Sequence, residues 1–283
     1  MTPVAPHTVV MTRQPAQAGA VEAGLAAAGY RIAYLPLTDF ELPEDSGPLR
    51  ETVALLNGAC PSEARVAWLV LTSPNTVRAL VALGWNGRVP GCTRIAVTGP
   101  GTARVLAAAG FADRPWMPEA DASAAGILEQ FPAPGDASSR TLLLPQSALA
   151  TEEVADGLAA RGWDVERLDA YRTVPYPAEP GRRLLAGPHE PDDGGEPITW
   201  AVGGEPGRPV VTIEDLAGTD VVLTSPSAVR ELARRGGTAL AKDTRFLAIG
   251  RPTARAAQAT GLELAGTAPS PDAEGLLTVL AAL

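Results

Sequence analysis

Lysine is almost missing from this sequence. Lys242 is the only one among 23 cationic side chains, so arginine supplies the rest of the positive charge. Against 32 acidic residues this leaves a formal net charge of −9, and the only close cationic neighbours are pairs such as Arg182–Arg183 and Arg234–Arg235. Nucleic-acid binders carry a basic face, so no nucleic-acid partner is expected. Long-range steering of an anionic ligand is also not expected from this balance. Any anion site must therefore be local, made from helix N-termini, hydroxyls and a few arginines. Cysteine is equally scarce. Cys60 and Cys92 stand alone with no CxxC spacing, which excludes a disulfide framework and leaves two free thiols. The two histidines, His7 and His189, fall in an expected tail and an expected loop, so no metal is expected. No stretch of about 18 apolar residues predicts a membrane span. The N-terminus has no charged region followed by an apolar one. A soluble, cytoplasmic protein with no membrane partner is the expectation. Aromatics make up only 5% of the residues, so the core is one of Ala, Val and Leu.

The familiar cofactor and nucleophile fingerprints are missing too. There is no GxxxxGK[ST], and Gly99-Pro100-Gly101 is followed by Thr, Ala and Arg, which breaks GxGxxG. No GxSxG elbow appears. Chemistry on this chain would need no cofactor and no activated side-chain nucleophile. Binding, orientation and backbone electrostatics would be its means.

What is present is a duplicated strand–turn–helix. Phe246 to Gly261 reads FLAIGRPTARAAQATG, an apolar strand, a bend at Gly250, Pro252 at the first helical position, and Gly261 at the helix end. Ile95 to Gly110 reads IAVTGPGTARVLAAAG; setting Gly99 on Gly250 sets Thr102 on Thr253 and Arg104 on Arg255. Such turns expose backbone N–H groups at the positive end of a helix dipole and favour an anionic ligand. A second pair is LVLTSPNTVRAL, from Leu69, and VVLTSPSAVREL, from Val221. A third pair matches the βαβ unit of residues 8–36 with that of 141–171: Gly29 falls on Gly162, Leu25 on Leu158 and Ile32 on Val165. Three kinds of βα unit, each present twice at about half the chain's length, predict two similar α/β domains.

Along the chain, the spacing predicts strands at 8–11, 30–36, 66–71, 141–144, 163–171, 220–223 and 246–249. Helices are expected over 16–28, 49–57, 76–83, 122–131, 151–161 and 227–235, and a closing helix over 272–283. Residues 37–48 read as a linker. From 175 to about 208, proline crowds in with glycine and acidic residues (Pro175, Pro177, Pro180, Pro188, Pro191, Pro197, Pro206). This reads as an insertion, with a possible hairpin at 198–211.

The duplicated TSP strand ends, the two G-x-x-T-A-R turns and Tyr171-Arg172-Thr173 after the middle βαβ unit occur together, in this order, in one family. The chain resembles the uroporphyrinogen-III synthases from Val9 to the C-terminus, apart from the proline-rich insertion. The resemblance implies two parallel-sheet α/β domains joined by two linker strands, with the active site in the cleft between them. The first would comprise 1–37 plus 174–283, with the insertion at about 178–209; the second would be 38–173. The implied substrate is hydroxymethylbilane, a linear tetrapyrrole with eight carboxylates. It loses its terminal hydroxyl as water and closes, with the last ring inverted, to uroporphyrinogen III. No cofactor is implied. The family binds the carboxylates largely through backbone N–H groups, which fits the turns above. A monomer is expected. The competing reading is a non-catalytic two-domain protein that binds or senses an anionic metabolite.

The resemblance also assigns roles. Tyr171 matches the tyrosine thought to help the hydroxyl leave; the competing reading is a half-buried strand tyrosine with a satisfied hydroxyl. Thr102 and Thr253, with Gly250, match the ligand turns; a threonine there also fills an N-cap. Ser73 and Ser225 either touch ligand or cap the next helix. Arg13 either touches ligand or forms a structural ion pair. Leu144-Pro145-Gln146-Ser147 lacks the glycine the family has after that strand, so backbone contacts there differ.

Overall fold

A computed structural model describes residues 7–59, 66–135, 139–184, 209–237 and 243–283. Cys60, His189, Lys242 and most of the expected hairpin at 198–211 lie outside the described residues. In chain order the elements are β1 (Thr8–Met11), α1 (Ala20–Ala27), β2 (Arg31–Tyr34), β3 (Thr38–Glu41), α2 (Gly47–Ala54), β4 (Val66–Leu71), α3 (Pro74–Ala82), β5 (Arg94–Val97), α4 (Pro100–Ala108) and α5 (Ala124–Gln130). They continue with β6 (Thr141–Ser147), α6 (Glu153–Ala160), β7 (Asp164–Pro175), β8 (Asp220–Leu223), α7 (Pro226–Arg234), β9 (Arg245–Ala248), α8 (Arg251–Ala259), β10 (Gly266–Thr267) and α9 (Ala273–Leu280).

The chain divides into two compact units. The described part of the first is 7–39, 174–178, 209–237 and 243–283; that of the second is 40–59, 66–135, 139–173 and 179–184. Each holds a five-stranded sheet, in the order β10-β9-β8-β1-β2 in the first and β3-β7-β6-β4-β5 in the second. The strand pairs from β9 to β2 and from β7 to β5 are parallel. The run β9-β8-β1-β2 repeats as β5-β4-β6-β7, the pairing that the internal repeats imply.

Side-chain alternation builds the layers. In the first unit Val10, Val221 and Leu223 pack with Val229, Leu232 and Ala257 of α7 and α8. Val9, Met11 and Val222 point the other way, to Leu25 of α1 and Leu276 and Leu280 of α9. Strands buried on both faces read as continuous apolar runs, and VVL of β8 and WLVL of β4 are such runs. In the second unit Trp68, Val70, Leu142 and Leu144 face α5 and α6 through Ile127, Phe131, Val154 and Leu158.

Gly29 and Gly162 end α1 and α6 with φ of +92° and +94°, the left-handed C′ conformation glycine takes without penalty. Several boundaries differ from expectation. The helix expected from residue 16 starts at Ala20, because Pro15–Gln17 form a separate 3-10 turn and the Glu22 side chain accepts from Gly19 N–H at the true start. The linker expected over 37–48 contains β3 and the start of α2. β6 runs on to Ser147 instead of stopping at Leu144, because Pro145 and Gln146 pair with Leu168 and Asp169 of β7. Its pairing with β4 ends at Leu143, so the missing N–H of Pro145 falls where one neighbour is gone. Residues 178–184, expected as the start of the insertion, are tied down: Ala178 N–H donates to Asp39, and the backbone of Arg183 forms an isolated antiparallel β-bridge with Glu41. His7 is likewise no loose tail, since its ring nitrogen lies 2.8 Å from buried Asp220.

Candidate functional site

The residues singled out by sequence gather at the carboxyl edge of each sheet, where parallel α/β sheets place their ligands. Arg13, Ser225 and Gly250 follow β1, β8 and β9 in the first unit. Ser73 and Gly99 follow β4 and β5 in the second unit, where Tyr171 lies on β7.

Two kinds of helix start stand side by side on each edge. At the TSP turns a serine closes the helix. Ser73 Oγ accepts from Asn75 N–H and Ser225 Oγ accepts from Ala228 N–H, both at 3.1 Å. Both serines therefore cap. At the G-x-x-T turns the N-caps are Gly99 and Gly250, with no side chain to offer. The first four N–H groups of a helix have no intrahelical partner, so the amides of Gly101, Thr102, Arg251 and Thr253 face outward from uncapped starts. Thr102 and Thr253 are the third helical residues, not the caps, and both side chains are buried. Pro252 sits at the second helical position, behind Arg251. Gly250 has φ 177°, extended backbone that any residue adopts, and a Cβ there would meet only Pro252 Cδ at 4.0 Å. The bend does not require glycine, contrary to expectation. At Gly99 a Cβ would lie 3.0 Å from Ala122 Cβ; there the close approach of the 122 segment leaves little room for a side chain. Arg104 and Arg255 are exposed.

Tyr171 is brought to Ser73. Its hydroxyl donates to Ser73 Oγ at 3.1 Å, and its ring, 8% exposed, packs edge-on against Phe40. A bulge places it: Gln146 pairs with Asp169 but Ser147 pairs with Tyr171, so β7 carries one extra residue just before the tyrosine. Arg13 is engaged elsewhere. Its Nε and Nη2 reach Glu22 Oε1 at 2.7 and 2.6 Å, and Glu22 is buried. An ion pair at Arg13 is thus present.

The two TSP helices differ one turn in. Arg78 is buried and donates to Asn75 Oδ1 at 2.7 Å, and burial pushes its guanidinium down to about 10. At the matching place in the first unit Arg230 is exposed and reaches Ser227. Among the described residues no group of three or more His, Cys, Asp or Glu is placed to hold a metal ion. Among them, too, no helix is long and apolar enough to cross a membrane.

Gln146 belongs to no motif in the sequence. The alignment that sets Gly29 on Gly162, an offset of 133 residues, also sets Arg13 on Gln146.

With this geometry in place, the family comparison is decisive. The model of the uroporphyrinogen-III synthase HemD family matches residues 19–278. The chain belongs to this family. A curated relative, the chloroplastic uroporphyrinogen-III synthase of Oryza sativa subsp. japonica, is 28% identical over 174 residues, 60% of this chain and 54% of the relative. The match thus spans about half that relative's length. Among solved structures, a mutant uroporphyrinogen III synthase from the extremely thermophilic bacterium Thermus thermophilus aligns over 98% of this chain and 100% of its own, at 18% identity and TM-score 0.52. Uroporphyrinogen-III synthetase from Helicobacter pylori 26695 aligns over 98% and 99%, at 14% identity and TM-score 0.52. At these identities the structures support the fold: mixed α/β with two parallel sheets.

Proposed function

We propose that this family member is a working uroporphyrinogen-III synthase. It would convert hydroxymethylbilane to uroporphyrinogen III and water, closing the ring with the terminal pyrrole inverted. The observation that carries the reading is the pair of glycine-capped helix starts at 99–102 and 250–253. Each presents amides that no side chain closes, in a chain of net charge −9 that must hold eight carboxylates without a basic patch. Backbone amides at a helix start supply that attraction locally. The two compact units would be the family's two domains, with crossings close to residues 37 and 174.

The chemistry needs the hydroxyl on the first ring's methylene to depart as water and the cationic methylene carbon left behind to be attacked by the already substituted α-carbon of the last ring, at the other end of the chain. The spiro intermediate so formed then breaks the old methylene bond to the last ring and re-forms it at that ring's free α-carbon, which loses a proton, and the ring is closed inverted. Tyr171 would donate the proton to the leaving oxygen. Ser73 Oγ, already accepting from that phenol, holds the ring's rotamer and can turn its own O–H toward the phenolate once the proton has gone. Thr102, Gly250 and Thr253 would hold carboxylates by their backbone. Ser73 and Ser225 would order the adjacent helix starts. Arg13 would support the edge through Glu22 without touching ligand. The protein would act as a cytoplasmic monomer, and a stoichiometric dimer in sedimentation would refute that part.

The test is a coupled assay. Freshly generated hydroxymethylbilane is supplied, the products are oxidised, and the type I and type III isomers are separated. Dominant type III is expected. Type I alone, at the rate seen without protein, would refute the proposal.

A further inference from the structure

In the first unit β9 and β10 run parallel, side by side. The helices that follow them leave on opposite faces: Ala257 of α8 packs with Val10 and Val221, and Leu276 of α9 with Val9 and Val222. Open α/β sheets bind ligands in the crevice where neighbouring strands part their connections in this way. A pocket of about 490 Å³ lies there, walled by Arg251, Arg255, Gln258, Thr267 and Pro269, with no acidic residue among its described lining. Arg251 and Arg255 stand one helical turn apart on one face. Both are exposed, and neither side chain has a hydrogen bond or ion pair to a described residue. Arg13, Arg235 and Arg245 of the same unit each have a carboxylate. A helix start is a poor place for two bare cations. It is the positive end of the dipole, like charges four residues apart repel, and α8 has no acidic residue in its first turn. The second unit does not repeat the pair. Setting Gly99 on Gly250 sets Pro100 on Arg251 and Ala107 on Gln258, and only Arg104 keeps its counterpart.

We propose that Arg251 and Arg255 are specificity-determining residues that clamp one carboxylate arm of the bound tetrapyrrole in this crevice. This inference rests on the substrate reading above. Eight carboxylates on four rings give two arms per ring. The open amides at the start of α8 take one arm, and the guanidiniums along its flank take the other. A guanidinium fork meets a carboxylate with two parallel N–H···O bonds. Gln258 and Thr267 in the wall can donate to the lone pairs left over. One ring is thereby tied to the first unit through side chains, an attachment that the second unit's turn, with Pro100 in place of Arg251, does not offer. The bound carboxylate also relieves the repulsion that the two cations impose on the helix start.

The double variant Arg251→Gln, Arg255→Gln removes both charges and keeps polar side chains. In the isomer assay its KM for hydroxymethylbilane should rise about tenfold, with kcat within about threefold of wild type. Its thermal unfolding midpoint should be unchanged or higher, because a like-charge pair has left the positive end of a helix. Two single variants separate a local clamp from net charge. Arg255→Gln should raise KM about threefold, whereas Arg104→Gln, which removes one charge from the matching place in the second unit, should leave KM unchanged. Equal shifts in the two single variants overturn the proposal, since net charge then accounts for both. So does an unaltered KM in the double variant, or a raised KM accompanied by a lowered midpoint, which would assign the arginines a structural role. If the double variant does not fold, Arg255→Gln is held to the same criteria. The wild-type protein in the same assay separates the two layers. Type I alone from wild type removes the substrate reading and this inference with it. Type III from wild type, with KM unchanged in the variants, removes this inference alone.

Discussion

The two units run the same strand order through the same three motifs, yet close their carboxyl edges differently. In the first, the end of β1 is locked by Arg13 on buried Glu22, and Gln14 Nε2 donates to buried Asp39 at 2.7 Å. In the second, the matching strand end carries Gln146, whose buried Oε1 has no partner among the described residues, and a bulged β7 brings Tyr171 onto the capping Ser73. What both retain is the uncapped glycine turn beside a serine-capped one. The lesson is a division of labour within a duplicated fold. On the proposed function, the shared feature would bind a repeated chemical group, the carboxylate, and the features unique to the second unit would serve the single reacting end of the substrate.

The comparison breaks first at the tyrosine. Tyr171→Phe should lower kcat for type III formation by about 100-fold if the phenol is the proton donor. Its unfolding free energy should fall by only about 1 kcal/mol, for the lost bond to Ser73. Rapid-quench turnover and denaturant unfolding on the same variant check both halves. The reverse pattern is expected at the first unit's strand end. Arg13→Ala strands a buried carboxylate and should destabilise by about 3 kcal/mol, with KM for hydroxymethylbilane within about threefold of wild type in whatever fraction remains folded. A smaller contrast lies in the two glycines. Gly99→Ala pushes a methyl against Ala122 and should destabilise by about 1–3 kcal/mol, whereas Gly250→Ala should change stability by less than about 0.5 kcal/mol. Equal effects in urea titrations would mean that the 122 segment yields freely. Ser225→Ala should remove one cap, about 1 kcal/mol.

The smallest effect is in acid. The hydrogen bond from Arg234, reinforced by Arg235, holds the Glu231 carboxyl below its ordinary value of 4.5 against the opposing effect of burial. A carboxylate lowered in the folded state contributes stability that is present above pH about 4.5 and fades as pH falls through its folded value. Glu231→Gln should therefore flatten the acid limb of the stability profile in the first unit while leaving the neutral region nearly parallel to wild type.

Much of this is legible in sequence because duplication repeats its own pattern. Continuous apolar runs such as Leu69–Leu71 and Val221–Leu223 announce strands buried on both faces, and the motif order announces two sheets. The TSP serines are legible as either caps or ligand contacts, and the structure shows both of them capping. The threonines of the glycine turns sit one position deeper in their helices than the sequence suggests, since Pro252 looks like the opening residue of a helix that Arg251 opens. Gln146 is hidden because its significance is a missing partner. A sequence shows which groups exist; whether a buried amide finds a donor depends on the packing of β6 against β4 and β7 and on the residues around its end.

The central claim is that carboxylates are held at the open glycine turns and not at the serine-capped ones. The most direct measurement is an amide NMR titration with uroporphyrin III, the air-stable oxidised form of the proposed product, which carries the same eight carboxylates. The account predicts that the largest downfield amide shifts fall on Gly101, Thr102, Arg251 and Thr253, while Asn75 and Ala228, already bonded to their serines, move little. Large shifts at Asn75 and Ala228 with the glycine-turn amides unmoved would contradict it.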